Sequence, residues 1–242
     1  MKQNQKFGVL FYCILSTSFF AMAQKQKSLR IKEIDSKKEV RLTEVSALLE
    51  THGELYTLDQ TPWADFPYKP TVQFRIAHSN NAVWLKFYVR EQNILAQHTE
   101  IHSAVSRDSC VEFFFDPLGT GEYYNFEFNC IGTPHLAYGP GRHEREFVDS
   151  EWVRSQIRIA SSLGEEPFAE KDGGHQWEMV MVLPASVLTA HPDILLKGRT
   201  SKANFYKCGD DTALRHYVTW NPVGTPSPDY HRPEYFGTLV FE

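Results

Sequence analysis

The chain has 242 residues, of which 42% are hydrophobic and 14% aromatic, so it has enough apolar material to bury a core. Lysine and arginine total 25 against 30 aspartate and glutamate, and this net charge of −5 lacks the basic excess of a general nucleic-acid-binding protein. Thirteen prolines, fourteen glycines and seventeen phenylalanines favour short strands joined by turns. The composition therefore predicts an all-β globular protein with no nucleic-acid partner.

The first 23 residues carry the pattern of a secretory signal peptide. Lys2 and Lys6 precede an apolar run from Phe7 to Phe20, and Ala21-Met22-Ala23 has the small-x-small pattern that a signal peptidase cleaves. An uncleaved membrane anchor needs about 20 apolar residues, and this run is shorter. Cleavage leaves 219 of the 242 residues, with a net charge of −7 and no membrane span. We expect residues 24–242 to form one soluble domain in the periplasm or outside the cell.

Alternating apolar and polar residues predict about eight or nine strands along the remaining chain. Turn residues join two hairpins, at Ser79-Asn80-Asn81 and at Pro117-Leu118-Gly119-Thr120-Gly121. A short helix is predicted around Leu42 to Leu49, and one helical turn at Pro184 to Leu188. The simplest fold that accounts for this pattern is a two-sheet antiparallel β-sandwich, Ig-like or jelly-roll-like, with at most short helices. The predicted strands are Thr71–Ile76, Val83–Val89, Cys110–Asp116, Tyr123–Ile131, Ile157–Ser161, Gln176–Leu183, Lys202–Cys208, His216–Trp220 and Gly237–Phe241.

Strand parity assigns the central hairpin two different faces, because successive side chains point to opposite sides of a sheet. The core face is predicted to carry Val111, Phe113, Phe115, Phe126, Phe128 and Cys130. The opposite face is predicted to carry Cys110, Glu112, Phe114, Asn125, Glu127 and Asn129. Cys110 and Cys130 therefore point apart, which argues against a disulfide between them.

Two carboxylates, Glu112 and Glu127, share that polar face, and three interpretations are open. They could be solvated or paired with arginine, as many surface carboxylates are. They could be the acid and nucleophile of a glycoside hydrolase, for which their separation would decide the stereochemistry. They could also bind Ca²⁺ with oxygen ligands added by Asp108, Asp116 or Asp210, although no loop has strong calcium spacing.

Two parts of the chain resemble family 9 carbohydrate-binding modules and their DOMON-like relatives. The first is Asp108–Asp116 followed by Tyr123–Asn129. The second comprises Asn204-Phe205-Tyr206, Trp220-Asn221-Pro222 and Arg232–Leu239, which are similar to the closing strands and loop of that family. The resemblance covers roughly Thr61 to Phe241. It implies a β-sandwich that binds the ends of plant-type glycans without cleaving them, often in the company of a xylanase or another secreted glycoside hydrolase.

The resemblance also implies roles for individual residues. Glu112 matches the family's acidic ligand, Tyr230 falls where an aromatic ring packs on the sugar, and Tyr206 lies at a polar contact position. Ser106 stands where related modules have a second Trp, and Glu127 stands where they have an Arg. The missing aromatic could come from Trp63, Trp152 or the loop Tyr138–Phe147.

A sugar site requires a flat aromatic ring for the apolar face of a pyranose and polar groups for its hydroxyls. The loops Gly141–Arg145 and Ser227–Pro233 offer such side chains, and loops on a rigid sandwich commonly carry recognition. The candidate carbohydrate-binding residues are Glu112, Glu127, Asn129, Arg142, Arg145, Tyr206, Trp220, Tyr230, His231 and Arg232.

The leading hypothesis is a secreted, non-catalytic carbohydrate-binding protein that supports polysaccharide degradation. A glycoside hydrolase using Glu112 and Glu127 is the first alternative. A DOMON-type haem module ranks last, because Met179 and Met181 alternate with Trp177 in a pattern typical of core residues. No catalytic residue and no certain cofactor are assigned, and Ca²⁺ remains a candidate.

Overall fold

The computed structural model describes residues 26–36 and 40–242, so the predicted signal peptide lies outside the described residues. Within those ranges there are thirteen strands, two short α-helices and three short 3-10 turns, at Val105–Arg107, Ala185–Val187 and Pro233–Tyr235. The strands are β1 (Ser28–Ile31), β2 (Leu55–Leu58), β3 (Thr71–Ser79), β4 (Ala82–Ala96), β5 (Cys110–Asp116), β6 (Tyr123–Asn129), β7 (Pro134–Gly139), β8 (Glu146–Phe147), β9 (Arg158–Ser161), β10 (Phe168–Pro184), β11 (Thr200–Cys208), β12 (Tyr217–Thr219) and β13 (Gly237–Phe241). The helices are α1 (Leu42–His52) and α2 (Ser150–Gln156).

These strands form two sheets packed face to face, which confirms the predicted antiparallel β-sandwich. Sheet A has the order β1-β13-β11-β5-β6-β7-β8, with β12 beside β11. Sheet B has the order β2-β3-β4-β10-β9. The pair β1 and β13 is parallel, and every other strand pairing in the described chain is antiparallel. None of the described helices is long and apolar enough to span a bilayer.

The two predicted hairpins are present, and local chemistry explains their turns. Asn80 and Asn81, between β3 and β4, have φ of 49° and 58°, the left-handed pair that a two-residue hairpin turn requires. Between β5 and β6, the carboxylate of Asp116 accepts hydrogen bonds from the backbone N–H groups of residues 118–121. This carboxylate therefore organises the loop that sets the register of the central hairpin.

The core between the sheets contains the face that strand parity predicted for β5 and β6. Phe74 of sheet B stacks on Phe205 of sheet A with ring centroids 4.1 Å apart. Trp177 and its two alternating methionines are also buried in this core, as predicted. Cys130 lies in the core, whereas Cys110 points to the other face of sheet A, and the three described cysteines are free thiols.

A second apolar layer covers the outer face of sheet A. Phe114 and Tyr123 point outward from β5 and β6, where Phe236 of the C-terminal segment packs on both, and Tyr230 of the same segment stacks on Tyr206 of β11. Because of this cover, every residue of β5 and β6 is buried. The polar face of the central hairpin is therefore covered by other parts of the chain, since its aromatic side chains pack against a partner surface.

A cluster of charged side chains is fully buried between the two sheets. Lys207 of β11 points into the core, and its Nζ lies 2.7 Å from Oε2 of Glu91 on β4, with both side chains 0% exposed. Lys207 Nζ also lies 2.7 Å from Nε2 of His216, and Trp177 Nε1 donates a 2.7 Å hydrogen bond to Oε1 of Glu91. This inter-sheet ion pair joins β4 of sheet B to β11 of sheet A.

Candidate functional site

The covering segment leaves one polar cavity of about 260 Å³ against the outer face of sheet A. Its floor is formed by β5, β6, β7 and the end of β11, and its walls by the segment 102–106, the loop 142–145 and residues 230–231. The cavity is lined by His102, Ser103, Ala104, Ser106, Glu112, Glu127, His135, Arg142, Arg145, Cys208, Asp210, Tyr230 and His231. Six of these are candidates from the sequence, namely Glu112, Glu127, Arg142, Arg145, Tyr230 and His231.

The structure places the other four sequence candidates away from the cavity lining. Asn129 is buried beside it and donates hydrogen bonds to His98 O and to Asp108 Oδ2. Tyr206 lies beneath Tyr230, with ring centroids 4.0 Å apart and an interplanar angle of 8°. Trp220 belongs to the core between the sheets, and Arg232 forms an exposed ion pair with Glu234.

Several lining residues were not predicted to bind sugar: Cys208 lies on a predicted strand without an assigned role, and Asp210 was considered only as a calcium ligand. His135 lies on β7, which was not predicted, directly opposite Glu127 in the register. Cys208, at the end of β11, lies directly opposite Cys110 of β5, and both thiols are on the outer face of sheet A. Once β7 is placed beside β6, the parity rule that found Glu127 also puts His135 on the same face. His102 and Asp210 lie in irregular segments that periodicity does not describe.

The two predicted carboxyl groups face each other at the cavity floor, since Glu112 and Glu127 are paired across β5 and β6. Burial, and then the charge of Glu127, raise the pKa of Glu112 well above its ordinary value and favour its neutral form. Glu127 Oε1 accepts a 2.7 Å hydrogen bond from Asn125 and lies 3.7 Å from Arg145 Nη1. The floor therefore offers a hydrogen-bond donor beside a charged acceptor.

Two buried polar atoms at the cavity have no hydrogen-bond partner among the described residues. They are Nε2 of His135 and Oδ1 of Asp210. The other ring nitrogen of His135 lies 3.3 Å from the Ser103 carbonyl, to which it donates, so Nε2 is left as an acceptor. Buried acceptors without partners are costly, and a ligand with hydroxyl groups would satisfy both.

His231 is held as a neutral imidazole at the cavity wall. Arg145 Nη1 lies 3.3 Å from Nε2 and donates to it, so Nδ1 carries the proton and donates to the Tyr123 hydroxyl 2.7 Å away. Burial, followed by the positive charges of Arg142 and Arg145, lowers the pKa of His231 to about 2. This histidine is therefore a neutral spacer between the arginine and the aromatic layer.

The low pKa of His231 predicts a pH dependence of stability. Unfolding exposes an imidazole with an ordinary pKa near 6.5, so the stabilisation is complete above pH 6.5 and is lost as the pH falls toward 2. The loss from this one group is at most about 1.4 kcal/mol per pH unit. Urea unfolding at pH 7 and pH 5 should show a decrease in stability about 1–2 kcal/mol larger for the wild type than for His231→Gln. Equal decreases would contradict this account.

The aspartates considered as calcium ligands do not converge on one site. Asp108 accepts hydrogen bonds from the backbone of Gln97 and His98, and Asp116 accepts those of its own loop. Asp210 lies at the cavity. Calcium prefers six to eight converging oxygen ligands, and these three carboxylates lie in separate places. The two methionines considered as haem ligands, Met179 and Met181, are buried in the core between the sheets.

Comparison with known proteins identifies relatives of this fold. The chain matches the sequence profile of carbohydrate-binding family 9 over residues 43–241. A protein from Bacteroides uniformis that is assigned as carbohydrate-binding is 40% identical, with a TM-score of 0.86 over 90% of this chain and 100% of that one. Among curated proteins, the search found no match.

Two solved structures of family 9 modules from Caldicellulosiruptor kristjanssonii share the fold at 11% identity. The one in complex with cellotriose has a TM-score of 0.60 and covers 89% of this chain and 94% of its own. The one in complex with glucose has a TM-score of 0.56 and covers 89% of this chain and 96% of its own. At this identity the similarity concerns the arrangement of the strands.

Proposed function

This chain belongs to carbohydrate-binding family 9, and we propose that it is a non-catalytic module that binds the end of a plant-type glycan in the cavity on sheet A. The proposal rests on two buried acceptors, His135 Nε2 and Asp210 Oδ1, that have no hydrogen-bond partner in the described part of the chain and lie at a cavity that also contains Glu127 and Arg145. Sugar hydroxyls both donate and accept hydrogen bonds, so they complement acceptors and guanidinium donors together.

The size of the cavity limits the ligand. At about 260 Å³ it is smaller than the roughly 300–1,000 Å³ of sites that enclose drug-sized molecules. A cavity below that range suits a group the size of a monosaccharide, so a long polysaccharide would enter it by its end.

The aromatic ring of the proposed site is Phe147 rather than Tyr230. Tyr230 is 6% exposed, with one face stacked on Tyr206 and Trp63 packed nearby. Phe147 is 59% exposed and stacks on His102, which lines the cavity, with ring centroids 4.8 Å apart. An exposed ring at the rim of a polar cavity is suited to pack on the apolar face of a pyranose.

This assignment predicts that Phe147→Ala lowers sugar affinity by about 3- to 10-fold, the effect of losing one ring-stacking contact. Trp152→Ala is a matched control, because Trp152 is also exposed but lies on α2, where its Nε1 donates to the Ser186 carbonyl. Isothermal titration calorimetry of both variants measures the effect. Unchanged affinity in Phe147→Ala, or an equal loss in Trp152→Ala, would remove Phe147 from the site.

The proposed function is tested with the purified protein on a panel of plant-type oligosaccharides and their constituent monosaccharides. We expect saturable binding with one site per chain, measured by calorimetry, and no release of reducing sugar during prolonged incubation. Absence of binding across the panel would contradict the proposal. Release of reducing ends that is abolished in Glu112→Gln would instead establish the glycoside hydrolase alternative.

Export and a role in polysaccharide breakdown complete the proposal. The supporting observation is the sequence of residues 1–23, which has the basic, apolar and small-x-small regions of a signal peptide. Cell fractionation with N-terminal sequencing is expected to find the chain in the periplasm or the medium, starting at Gln24. A protein that retains Met1 in the cytoplasm would contradict export. Enhanced polysaccharide release on adding the protein to a secreted glycoside hydrolase tests the role in degradation.

A further inference from the structure

Two thiols and a carboxyl group meet at the floor of the cavity. Cys110 and Glu112 alternate on β5 and point to the same face, and Cys208 on β11 lies directly opposite Cys110. The Sγ atom of Cys208 donates to Oε1 of Glu112 at 3.1 Å. One ligand atom from each of the three residues lies within 4.8 Å of the others, and all three residues are buried.

This combination has the donor chemistry of a site for a thiophilic cation. Thiolates select soft or borderline metals, and zinc is commonly held by cysteine with a carboxylate or imidazole as a further ligand. The three residues lie on two hydrogen-bonded strands, so the sheet holds them in place without a bound cation. Calcium, which prefers six to eight oxygen ligands, does not suit them.

The cavity supplies both an entry path and an open coordination position. Cys208 and Glu112 line the cavity, while Cys110 lies behind them in the apolar layer. We propose that Cys110, Cys208 and Glu112 hold one thiophilic divalent cation of the zinc type, with its remaining coordination position facing the cavity. Three protein ligands and one open position are the arrangement of zinc sites that bind an exogenous ligand.

Metal binding is tested directly with Co²⁺, because a cobalt ion bound by thiolates shows sulfur-to-metal charge-transfer absorption that cobalt bound only by oxygen or nitrogen lacks. The purified protein is reduced, treated with a chelator and titrated with Co²⁺ and then with Zn²⁺. We expect one equivalent of Co²⁺ with a charge-transfer band, which one equivalent of Zn²⁺ abolishes.

Single substitutions assign the ligands. Cys110→Ser and Cys208→Ser are expected to lose the charge-transfer band or reduce it, and to bind zinc more than about 10-fold more weakly. Cys130→Ser is the matched control, because Cys130 is also a buried thiol but lies in the core on the other face of sheet A. It is expected to keep the band and the stoichiometry. Circular dichroism establishes that each variant is folded.

Three results would overturn the proposal. The first is absence of the charge-transfer band when thiol titration shows that the cysteines are reduced. The second is a Cys110–Cys208 disulfide in the purified protein, since it leaves no thiolate for a metal. The third is an unchanged band in Cys208→Ser. Phe147→Ala, which is expected to weaken sugar binding, removes an exposed uncharged ring outside the three ligands and is expected to bind Co²⁺ as the wild type does, so the two proposals fail separately.

Discussion

Replacing Glu91 by Gln is expected to lower the free energy of unfolding by about 3–5 kcal/mol, because it leaves the Lys207 ammonium buried between the sheets without its counter-charge. The substitution preserves the volume of the side chain and an oxygen that can accept from Trp177, so the missing charge is the main change. Equilibrium unfolding in urea, followed by tryptophan fluorescence at pH 7, measures the effect.

Glu178→Gln is the matched control for this prediction. Glu178 also pairs with a lysine, Lys86, at 2.8 Å, but its side chain is 52% exposed, and such pairs are worth about 0–1 kcal/mol. The double substitution Glu91→Gln with Lys207→Met is expected to be more stable than Glu91→Gln alone, because it removes the unpaired ammonium. A loss below about 1 kcal/mol in Glu91→Gln would show that this ion pair does not hold the two sheets together.

Replacing Glu127 by Gln is expected to weaken sugar binding by about 3- to 10-fold while the protein remains folded. Hydrogen bonds to a charged group are worth about 1.5–3 kcal/mol, roughly twice those between neutral groups, and Gln keeps the shape but not the charge. Glu127 is 6% exposed and lies 3.7 Å from Arg145, so its charge also orients that guanidinium. Calorimetry with the tightest-binding sugar measures the loss.

Glu122→Gln is the control for Glu127→Gln. Glu122 lies in the same hairpin but is exposed, and its carboxylate accepts from the Tyr138 hydroxyl outside the cavity. Its substitution is expected to leave the affinity unchanged. If both variants bind sugar as the wild type does while urea unfolding finds them folded, the sugar binds elsewhere and the cavity on sheet A is not the binding site.

The stability role of Glu91 and the recognition role of Glu127 illustrate two uses of buried charge in one sandwich. Glu91 forms an ion pair with Lys207, and this pair connects the two sheets. The cavity instead contains carboxyl, guanidinium and imidazole groups that are incompletely satisfied by one another, with Asp210 Oδ1 left without a partner among the described residues. The first arrangement pairs opposite charges across the core, whereas the second lies at a cavity and is suited to a polar ligand.

Strand parity predicted correctly which residues of β5 and β6 would face the core, because side-chain alternation is a local property of extended backbone. It also separated Cys110 from Cys130. The same rule brought Glu112 and Glu127 together on one face, and the register of the hairpin confirms that they are directly paired. Family resemblance, carried by residues of these strands and of the C-terminal segment, agrees with the profile match over residues 43–241.

Other features could not be predicted without the pairing of distant segments. Ser28–Ile31 is absent from the predicted strands, yet it forms a parallel edge strand beside β13. Four predicted site residues lie outside the cavity lining, and His102 and Asp210 enter it from irregular segments before and after the central hairpin. Lys207 is an example. Side-chain alternation along β11 points this lysine into the core, and its charge is tolerated there because Glu91 of the other sheet pairs with it.

The sequence by itself therefore determined the β-sandwich, the two faces of the central hairpin and the family, because these depend on periodicity, turn chemistry and local residue patterns. Only the tertiary structure decided that the polar face is covered, which residues surround the remaining cavity, and how Lys207 and Glu91 are paired. The physical reason is that a covered surface, a cavity and a buried ion pair are formed by contacts between segments far apart in the chain. Such contacts depend on how the sheets and the C-terminal segment pack, which no local pattern encodes.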